Sequence, residues 1–593
     1  MNATADTATR AIATAPPPEV AAYVQARVIT ADDVATTGVL ISIAGRDEPL
    51  APQPLAWVAL GLALRTPRDG HTCVDLSLMA DWAGAIDPDA PAALPWPADA
   101  AAWKKALDSA RPLVGRPGDR RPFILDGNRL YLARSLHEEQ EIARRLSGSG
   151  ARGGAKPAEG HAAGPIPARV RILLGGPGTG KTTEVARRLI EKFTADPLTR
   201  IALAAPTGKA AARMAEALRT RCVAENAPQP VLDAIDAARP VTVHRLLKVR
   251  PQGSPRYCFR ADNPLAYDLV VVDETSMLSS SLMYRLLDAI SPQTELLLVG
   301  DPDQLASVDA GSVLADIARA AAREGSALAA VTDRLVTRHR LGTEIGALAD
   351  AILAGDAAAV LTLLASRDAA ASGNLFPAID WIEPGSDGFR SLVATVVAQA
   401  RRLGDLATAG DAAAAVAAQK DLQVLCAHRS GPLGAAGWNT LVEKRLGVFG
   451  GSAWYAGRPV MVTRNTPTLD LFNGDIGLVV PTPGETRGDA VESRSLRMEA
   501  AFPEGRSVRR VAVTRLDEVA TVHALTIHKS QGSEYHHAIV VLPERASPIL
   551  SRELFYTGVT RAIDRVTVVA TRDIIAAAVG RPIRRASGLA DRL

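Results

Sequence analysis

The chain has 593 residues, which at roughly 150 residues per domain predicts about four domains. Hydrophobic residues make up 47% and charged residues 22% of it, shares typical of globular proteins that exclude a disordered or fibrous chain. The formal net charge of +3 permits nucleic-acid binding without requiring it. No Cys-x-x-Cys pair, signal-peptide pattern or apolar run of about 18 residues occurs, so we expect a cytoplasmic protein without a zinc ribbon, disulfide framework or membrane span.

The first part of the chain predicts a small, mainly helical domain over residues 1–147. Apolar residues follow helical spacing within 21–85, a hairpin is expected to turn at Asp126-Gly127, and a helix is expected at about 136–146. Residues 148–168 are dense in Gly, Ala and Pro, so they predict a flexible linker.

Two regions of α/β character follow the linker. The first, over 169–330, contains short apolar runs that are each followed by a turn or a helix, which predicts a parallel sheet. The second, over 331–593, contains further runs of the same kind. Closely spaced strands at about 450–520 predict a small β-barrel inserted in this second domain, so the fold class is α/β. The apolar runs span residues 170–174, 201–205, 269–272, 296–299, 422–426, 538–542 and 566–570.

Residues 175–182, Gly-Gly-Pro-Gly-Thr-Gly-Lys-Thr, fit the pattern of a phosphate-binding loop between a strand and a helix. The glycines let backbone N–H groups curl around phosphate oxygens, Lys181 reaches the β- and γ-phosphates, and Thr182 offers a hydroxyl to Mg²⁺. An ordinary Gly-rich turn is the alternative, which the order of strand, loop and helix disfavours. The expected nucleotide-binding residues are Gly175, Gly176, Pro177, Gly178, Thr179, Gly180, Lys181, Thr182 and Thr183.

Two carboxylates, Asp273 and Glu274, follow four apolar strand residues, which places them at the sheet edge where α/β proteins bind ligands. Asp273 is expected to hold Mg²⁺ through water, and Glu274 to orient or deprotonate the attacking water. An Asp-Glu pair after a strand is usually a solvated turn. Here it follows the phosphate loop and precedes residues 300–304, Gly-Asp-Pro-Asp-Gln, so Gln304 is placed to sense the γ-phosphate.

In this order the motifs resemble those of superfamily 1 helicases, and more closely the RecD family, the alpha subunits of the RecBCD enzyme (exodeoxyribonuclease V). The resemblance covers most of residues 121–593 and implies two RecA-like P-loop motor domains that bind ATP in their cleft and step 5′ to 3′ along single-stranded DNA. It also implies that the insertion is an SH3-like barrel able to cover the DNA channel. Beyond the phosphate loop, the matching motifs span residues 205–211, 242–247, 272–277, 300–307, 458–461, 471–477, 526–534 and 556–562.

The resemblance implies roles for further residues. Arg561 is similar to an arginine finger, Arg340 to a second γ-phosphate contact, and Glu534 to a residue that accepts a ribose hydroxyl. Taken alone, either arginine is more typical of a surface charge, and a histidine is as typical of an ordinary core or surface imidazole. The implied catalytic residues are Lys181, Asp273, Glu274, Gln304, Arg340 and Arg561. The positions that resemble DNA contacts are Pro206, Thr207, Lys209, Thr242, His244, Thr526 and His528.

Residues 248–264 predict a hairpin with Tyr257 and Phe259 near its tip or base, in the interval where the family places a strand-separating pin. A simple surface hairpin with a half-buried aromatic pair is an equally good interpretation.

The sequence departs from the family's pattern at two positions. The family's adenine-reading glutamine upstream of the phosphate loop is replaced by the Gly/Ala linker, and Gln140 is too remote to take its place. The family's Tyr-Arg pair before the second motor's first helix is His339-Arg340 in this chain.

Three functions fit these observations. The first is a RecD-type motor subunit of a helicase–nuclease that repairs double-strand breaks by homologous recombination with RecB-like and RecC-like partners. The second is a stand-alone RecD-like helicase, and the third an ATP-binding scaffold without motor activity. Residues 70–76 and 130–134 resemble the domain that docks on RecC, which favours the subunit, whereas Glu274 and Arg561 disfavour the scaffold. No nuclease motif occurs, so no nuclease site is expected in this chain.

Overall fold

The computed structural model describes residues 14–46, 50–79, 94, 96–97, 99–147, 169–250, 256–338, 342–365, 378–450, 454–482, 497–504 and 507–593. The expected linker at 148–168 and the expected site residue Arg340 lie outside the described residues. The described part forms an N-terminal domain, two α/β domains with parallel sheets, and an antiparallel sheet inserted in the second. None of its helices is both long and apolar enough to span a lipid bilayer.

The N-terminal domain packs helices on a small four-stranded sheet. Its elements are α1 (Val20–Gln25), α2 (Ala31–Ala44), α3 (Pro54–Arg65), β1 (Cys73–Asp75), α4 (Ala100–Leu107), β2 (Val114–Gly115), β3 (Phe123–Asp126), β4 (Arg129–Leu132) and α5 (Ala133–Ser147). The strand order is β1-β4-β3-β2. The predicted hairpin is confirmed, because β3 and β4 pair antiparallel around Gly127, whose φ of 61° suits a tight turn. The buried rings of Trp57 and Trp103 lie in the core between helices and sheet.

The first α/β domain is built on a six-stranded parallel sheet. Its elements are β5 (Val170–Gly175), α6 (Lys181–Ala195), β6 (Ile201–Ala205), α7 (Gly208–Ala224), α8 (Gln229–Ala237), β7 (Val241–Thr242), α9 (Val243–Leu246), β10 (Leu269–Val272), α10 (Ser280–Ala289), β11 (Glu295–Gly300), α11 (Val313–Ala321) and β12 (Thr332–Leu335). The strand order is β12-β5-β11-β10-β6-β7. The four predicted strands are confirmed as β5, β6, β10 and β11. They could be predicted because both faces of the sheet are covered, and strands buried on both faces are apolar throughout.

The expected boundary of this domain at 330/331 needs correction. The strand β12 begins after it and pairs in parallel with β5, so the first sheet extends to Leu335. The sequence of β12 is Thr-Asp-Arg-Leu, which contains no apolar run, so its pairing was not visible in the pattern.

The predicted hairpin within 248–264 is present as a short antiparallel pair, β8 (Val249–Arg250) with β9 (Arg256–Tyr257). Residues 251–255 lie outside the described part. Tyr257 and Phe259 are partly buried against the core of the first α/β domain, so both aromatic residues belong to the base of the hairpin.

The second α/β domain contains a five-stranded parallel sheet. Its elements are α12 (Thr343–Ala354), α13 (Ala357–Ala365), β13 (Ile379–Ile382), α14 (Asp387–Thr408), α15 (Ala412–Ala417), β14 (Leu422–Cys426), α16 (Ala435–Leu446), β20 (Ala524–Thr526), β21 (Tyr535–Val541), α17 (Arg552–Val559), β22 (Ala562–Val569) and α18 (Arg572–Gly580). The strand order is β13-β22-β21-β14-β20. The strands expected at 422–426, 538–542 and 566–570 are confirmed as β14, β21 and β22.

The insertion forms an antiparallel sheet between β14 and β20. Its strands are β15 (Pro459–Val462), β16 (Ile476–Pro481), β17 (Met498–Glu504), β18 (Ser507–Ala512) and β19 (Val519–Thr521). The order is β18-β17-β16-β15-β19, so the closely spaced strands expected at about 450–520 are confirmed as one antiparallel sheet.

Residues 583–593, which we call the return segment, leave the second α/β domain and lie against the other two domains. Its short helix α19 (Leu589–Arg592) contacts α5 and α11, and Leu589 is buried in the core of the first α/β domain. Ser587 and Gly588 donate hydrogen bonds to Glu139, a fully buried carboxylate on α5. The end of the expected second domain over 331–593 therefore packs on the other two domains.

Candidate functional site

The phosphate loop joins the end of β5 to the start of α6. Gly178 and Gly180 have φ values of 74° and 88°, left-handed conformations that favour glycine and turn the loop around the helix N-terminus. The Nζ atom of Lys181 donates to the backbone oxygens of Gly175 (2.7 Å) and Gly176 (2.9 Å). The ammonium is thus folded back over its own loop, and it must exchange these oxygens for phosphate oxygens when a nucleotide binds.

Two carboxylates, the partly buried Asp273 and the buried Asp301, lie at the same sheet edge as the loop. Asp273 follows β10 and Asp301 follows β11, and β11 separates β10 from β5 in the sheet. Burial, and then the neighbouring Glu274 carboxylate, raises the pKa of Asp273 above its usual range. Burial also raises the pKa of Asp301, an effect that Lys181 opposes. A nearby cation would favour the ionised form of both carboxylates.

The residues expected to hold Mg²⁺ share one small cavity. Lys181, Thr182 and Asp273 line a space of about 30 Å³ that is closed on one side by apolar side chains of the sheet and α7. A hydroxyl and a carboxylate are the oxygen ligands that Mg²⁺ uses beside substrate phosphates. The donor set, a hydroxyl and a partly buried carboxylate whose ionised form a cation would favour, therefore fits Mg²⁺.

Gln304, expected to sense the γ-phosphate, lies beside Asp301. Its side chain is 6% exposed, and its Nε2 donates to Asp301 Oδ2 at 3.0 Å. Its Oε1 is buried without a hydrogen-bond partner among the described residues. A buried acceptor without a partner is costly, so this oxygen is poised to accept a hydrogen bond from a bound ligand or its water.

The second α/β domain reaches this site through Tyr556 on α17. The Tyr556 hydroxyl donates to Asp301 Oδ2 at 3.0 Å, and a Cβ added at Gly176 would lie 3.0 Å from the same hydroxyl oxygen. The phosphate loop therefore lies in the cleft between the two α/β domains. Sequence reasoning included Asp301 and Tyr556 within motifs without assigning either a role.

Arg561 is held inside the second α/β domain. Only 3% of its surface is exposed, and it donates to the backbone oxygens of Thr557 (3.1 Å) and Ser533 (3.2 Å). In the arrangement described, these hydrogen bonds direct its guanidinium toward its own domain. The arginine closer to the phosphate loop is Arg338, whose Nε would lie 3.9 Å from a Cβ at Gly176. Arg338 was not singled out by the sequence.

Glu534, expected near a ribose, forms an ion pair with Arg213 on α7 of the first domain. Arg213 also donates to Gly532 O at 2.7 Å, so one side chain joins α7 to the segment that precedes β21. Sequence reasoning missed Arg213, because nothing in the local pattern separates it from the other arginines.

The residues that resemble DNA contacts lie at the carboxyl ends of parallel strands in both domains. Pro206 and Thr207 follow β6, Thr242 ends β7 and Thr526 ends β20. The hydroxyls of Thr207 and Thr242 each accept a backbone N–H at 3.2 Å and so cap α7 and α9. His244 lies on α9, and His528 lies in the turn after β20.

Lys209 lies beneath the insertion. Burial, and then Arg213, lowers the pKa of Lys209 to about 8, while Asp475 of the insertion opposes this shift. Phe472 of the insertion contacts the same turn, because its Cβ would lie 3.2 Å from a Cβ at Gly208. The ring of Phe472 also lies 5.1 Å from the Arg245 guanidinium. The insertion therefore covers the end of β6 and the start of α7.

Three family sequence profiles match the chain. The AAA domain profile matches residues 161–310, which contain the phosphate loop, both acidic positions and Gln304. The UvrD-like helicase C-terminal domain profile matches 521–569, which contain Glu534, Tyr556 and Arg561. The profile of the RecBCD enzyme subunit RecD, N-terminal domain, matches 25–131.

Curated relatives extend the similarity to almost the whole chain. The RecBCD enzyme subunit RecD of Mycolicibacterium smegmatis is 43% identical over 587 residues, covering 93% of this chain and 96% of that protein. The chain belongs to the RecD family. The RecD family member of Mycobacterium tuberculosis is 40% identical and covers 97% of this chain and 96% of its own length.

Family membership confirms the ATPase and helicase domains that the motifs indicated. The ATP-dependent RecD2 DNA helicase of Deinococcus radiodurans is 33% identical and covers 67% of this chain. The match includes only 46% of that helicase, compared with 96% of the mycolicibacterial RecD subunit. The similarity to RecD subunits is therefore the more complete of the two.

Proposed function

We propose that this chain is an ATP-driven 5′ to 3′ DNA helicase that works as the RecD-type subunit of a RecBCD-type helicase–nuclease in double-strand break repair by homologous recombination. The observation that carries the proposal is the contact of Tyr556 with Asp301 beside the phosphate loop, because it brings both α/β domains to the nucleotide site. Nucleotide binding and release at that cleft would then change how the two domains lie against each other, which a translocating motor requires.

In the proposed reaction, Lys181 leaves its loop oxygens and neutralises the β- and γ-phosphates of ATP. Glu274 orients or deprotonates the attacking water, and Gln304 Oε1 accepts a hydrogen bond from that water beside the γ-phosphate. Thr182 and Asp273 would hold Mg²⁺, which would supply charge neutralisation on the phosphate oxygens. Arg561 and Arg340 of the second domain neutralise charge on the transferring phosphoryl group, and Glu534 accepts a ribose hydroxyl.

For Arg561 this role requires movement, since its present hydrogen bonds hold it within its own domain. We therefore propose that ATP binding closes the cleft further and turns Arg561 toward the phosphates. Glu534 likewise must exchange Arg213 for the ribose.

Single-stranded DNA is proposed to cross the carboxyl ends of the strands in both domains. Pro206, Thr207, Lys209, Thr242, His244, Thr526 and His528 are the proposed contacts. The antiparallel insertion is proposed to be an SH3-like cover over this track, which the position of Phe472 on Gly208 supports. The hairpin of β8 and β9 is proposed as the pin that separates the strands of the duplex, with Tyr257 and Phe259 anchoring its base.

The proposed partners are RecB-like and RecC-like subunits in a cytoplasmic heterotrimer. The relatives are RecD subunits of the RecBCD enzyme, and the N-terminal domain match over 25–131 supports the same assembly for this chain. Copurification of the tagged chain with RecB- and RecC-like proteins from its own cells would support the assembly. A monomeric chain that unwinds DNA alone would favour a RecD2-type helicase instead.

The reaction is tested by ATP turnover with and without single-stranded DNA. Lys181→Gln is expected to abolish DNA-stimulated hydrolysis, because the lost charge acts on the transferring phosphoryl group. The matched control is Lys192→Gln on the same helix, which removes only a surface ion pair with Glu295. Unchanged turnover in folded Lys181→Gln would refute the phosphate-loop assignment, and wild-type turnover without DNA stimulation would favour the scaffold.

Polarity is tested on duplexes with a single-stranded tail. In a complex whose partner motor is inactivated, unwinding is expected from a 5′ tail and not from a 3′ tail. Binding is expected to weaken with salt at a slope of about 0.7 per phosphate contact. Unwinding from 3′ tails alone would overturn the polarity, and salt-independent binding would exclude nucleic acid as the track.

A further inference from the structure

The loop from Gln304 to Gly311 is held by every major part of the chain. Residues of the N-terminal domain and of both α/β domains all bond to its backbone. The contacts are Leu305 N–H to Thr557 Oγ1 (3.0 Å), Gln531 Nε2 to Leu305 O (3.1 Å), Ser280 N–H to Ala310 O (2.9 Å) and Gly311 N–H to Gly70 O (3.0 Å). The loop begins at Gln304, the residue expected to sense the γ-phosphate. The hydrogen bonds that hold the loop backbone therefore also hold the position of Gln304.

Three further carbonyl oxygens of the loop accept hydrogen bonds from one side chain of the return segment. Arg585 donates from Nη2 to Ser307 O at 2.5 Å and from Nη1 to Asp309 O at 3.0 Å and Gly311 O at 2.9 Å. Three carbonyls thus converge on one guanidinium, whose planar fork of donors is suited to holding several acceptors at fixed angles. No other residue type offers this set of donors.

The N-terminal domain forms the wall behind Arg585. A Cβ added at Gly70 would lie 2.9 Å from Arg585 Cζ, so the guanidinium packs directly on the Gly70 backbone. The next residue, Ala586, donates its N–H to His71 Nδ1 at 2.8 Å and accepts from Thr72 N–H at 3.0 Å. Arg585 is therefore fixed on both sides, by the N-terminal domain and by the loop.

We propose that Arg585 is a positioning residue for ATP hydrolysis, which holds the loop from Gln304 to Gly311 so that Gln304 points at the γ-phosphate. The inference rests on the proposed function, since it concerns the geometry of that same ATPase site. The Gln304 side chain makes one hydrogen bond, from Nε2 to Asp301 Oδ2, and its Oε1 has no partner among the described residues, so the aim of Oε1 depends on that bond and on the backbone that carries the side chain. Loss of the guanidinium removes the donor from Ser307 O and Gly311 O, leaves Asp309 O only its bond from Ser307 Oγ (2.7 Å), and lets the loop relax.

The proposal makes the N-terminal domain part of the motor. Because Gly70 supports Arg585 and also bonds Gly311, a shift of that domain moves the loop directly. A partner protein that docks on the N-terminal domain would therefore change the position of Gln304 through Arg585, without contacting either α/β domain.

The test compares Arg585→Ala and Arg585→Lys with the neighbouring control Arg584→Ala in the full-length chain. Arg584 is exposed on the same segment, so its substitution matches the change in charge. The readouts are kcat and KM for ATP at saturating single-stranded DNA, together with the midpoint of thermal unfolding. Displacement of a positioned group by about 1 Å lowers rates by up to 10²-fold, so Arg585→Ala is expected to lower kcat roughly 10-fold to 100-fold.

The KM for ATP is expected to stay within about twofold, because Arg585 touches no nucleotide-binding residue and the effect falls on the transition state. Arg585→Lys is expected to recover only part of kcat, since one ammonium cannot hold three carbonyls at the same angles. Arg584→Ala is expected to behave as wild type.

A kcat for Arg585→Ala equal to that of Arg584→Ala, in a chain whose wild type turns over ATP, overturns the inference and leaves the proposed function intact. A wild-type chain without DNA-stimulated turnover overturns the proposed function itself. If Arg585→Ala does not fold, Arg585→Lys decides: full wild-type kcat in that variant overturns the positioning role, and a reduced kcat at unchanged KM supports it.

Discussion

Replacing the Glu139 carboxylate by an amide, Glu139→Gln, is expected to loosen the return segment from the N-terminal domain. Glu139 is fully buried on α5 and accepts hydrogen bonds from three parts of the chain. Its donors are Thr72 Oγ1 (2.5 Å), Ser587 Oγ (3.0 Å) and Gly588 N (3.2 Å) on Oε1, and Tyr131 OH (3.1 Å) and Arg592 Nε (3.4 Å) on Oε2.

The loss in the free energy of unfolding follows from which of these hydrogen bonds a glutamine amide can still make. The glutamine oxygen can keep the three bonds on the Oε1 side, and the Tyr131 hydroxyl can turn to accept from the new NH₂ group. Arg592 Nε then faces a donor, so one hydrogen bond between charged groups is lost inside the protein. Such a loss costs about 2–4 kcal/mol. For a unit of 150–250 residues this corresponds to a fall in Tm of roughly 4–16 °C.

Scanning calorimetry is the appropriate assay, because separate domains can unfold in separate transitions. The matched control is Glu141→Gln on the same helix, where Glu141 pairs with Arg144 at 2.8 Å in a partly exposed site. That change is expected to cost less than about 1 kcal/mol. A Tm for Glu139→Gln no lower than that of Glu141→Gln would refute the reasoning.

Three further outcomes are expected. Arg561→Ala should lower ATP turnover by roughly 10³-fold or more with little effect on ATP affinity. Stopped-flow binding of a fluorescent ATP analogue, measured together with steady-state turnover, checks this. A large loss of ATP affinity with normal turnover per bound ATP would contradict the role of Arg561 as an arginine finger. Tyr556→Phe removes the hydroxyl that bonds Asp301 across the cleft, so kcat should fall roughly tenfold, and an unchanged kcat would separate that contact from catalysis. Burial, opposed by Arg319 and reinforced by Glu139, raises the pKa of Asp316 to about 6, so the stability tied to its protonated form is lost as pH rises through about 6. In urea unfolding, Asp316→Asn should therefore gain roughly 1–2 kcal/mol relative to wild type between about pH 5 and pH 8, whereas a pH-independent difference would contradict the shift.

Much of the fold could be predicted because its signals are local. A parallel strand covered on both faces is apolar along its length, so β5, β6, β10 and β11 were visible in the sequence. The phosphate loop was visible because its glycines and lysine occupy fixed positions between strand and helix. The strand β12 was not predicted, because its sequence is polar and only its pairing with β5 makes it a strand.

The residues that sequence reasoning missed act over long separations. Arg213 bonds Gly532, and Arg585 bonds a loop that begins at Gln304, so neither contact leaves a periodic pattern around the arginine itself. In an arginine-rich chain each looks like a surface charge. Lys209 shows the opposite case: its motif was recognised, yet its burial beneath the insertion depends on Asp475 and Phe472, far along the chain.

The return segment also sets an order on biosynthesis. Glu139 on α5 receives Ser587, Gly588 and Arg592 as donors only after the ribosome has translated both α/β domains. Until then the nascent N-terminal domain carries an incompletely paired buried carboxylate, and its surface toward α19 stays open. A truncated translation product thus lacks the contacts that complete the N-terminal domain, so incomplete chains are expected to be recognised by cellular proteases before they can occupy a place in a complex.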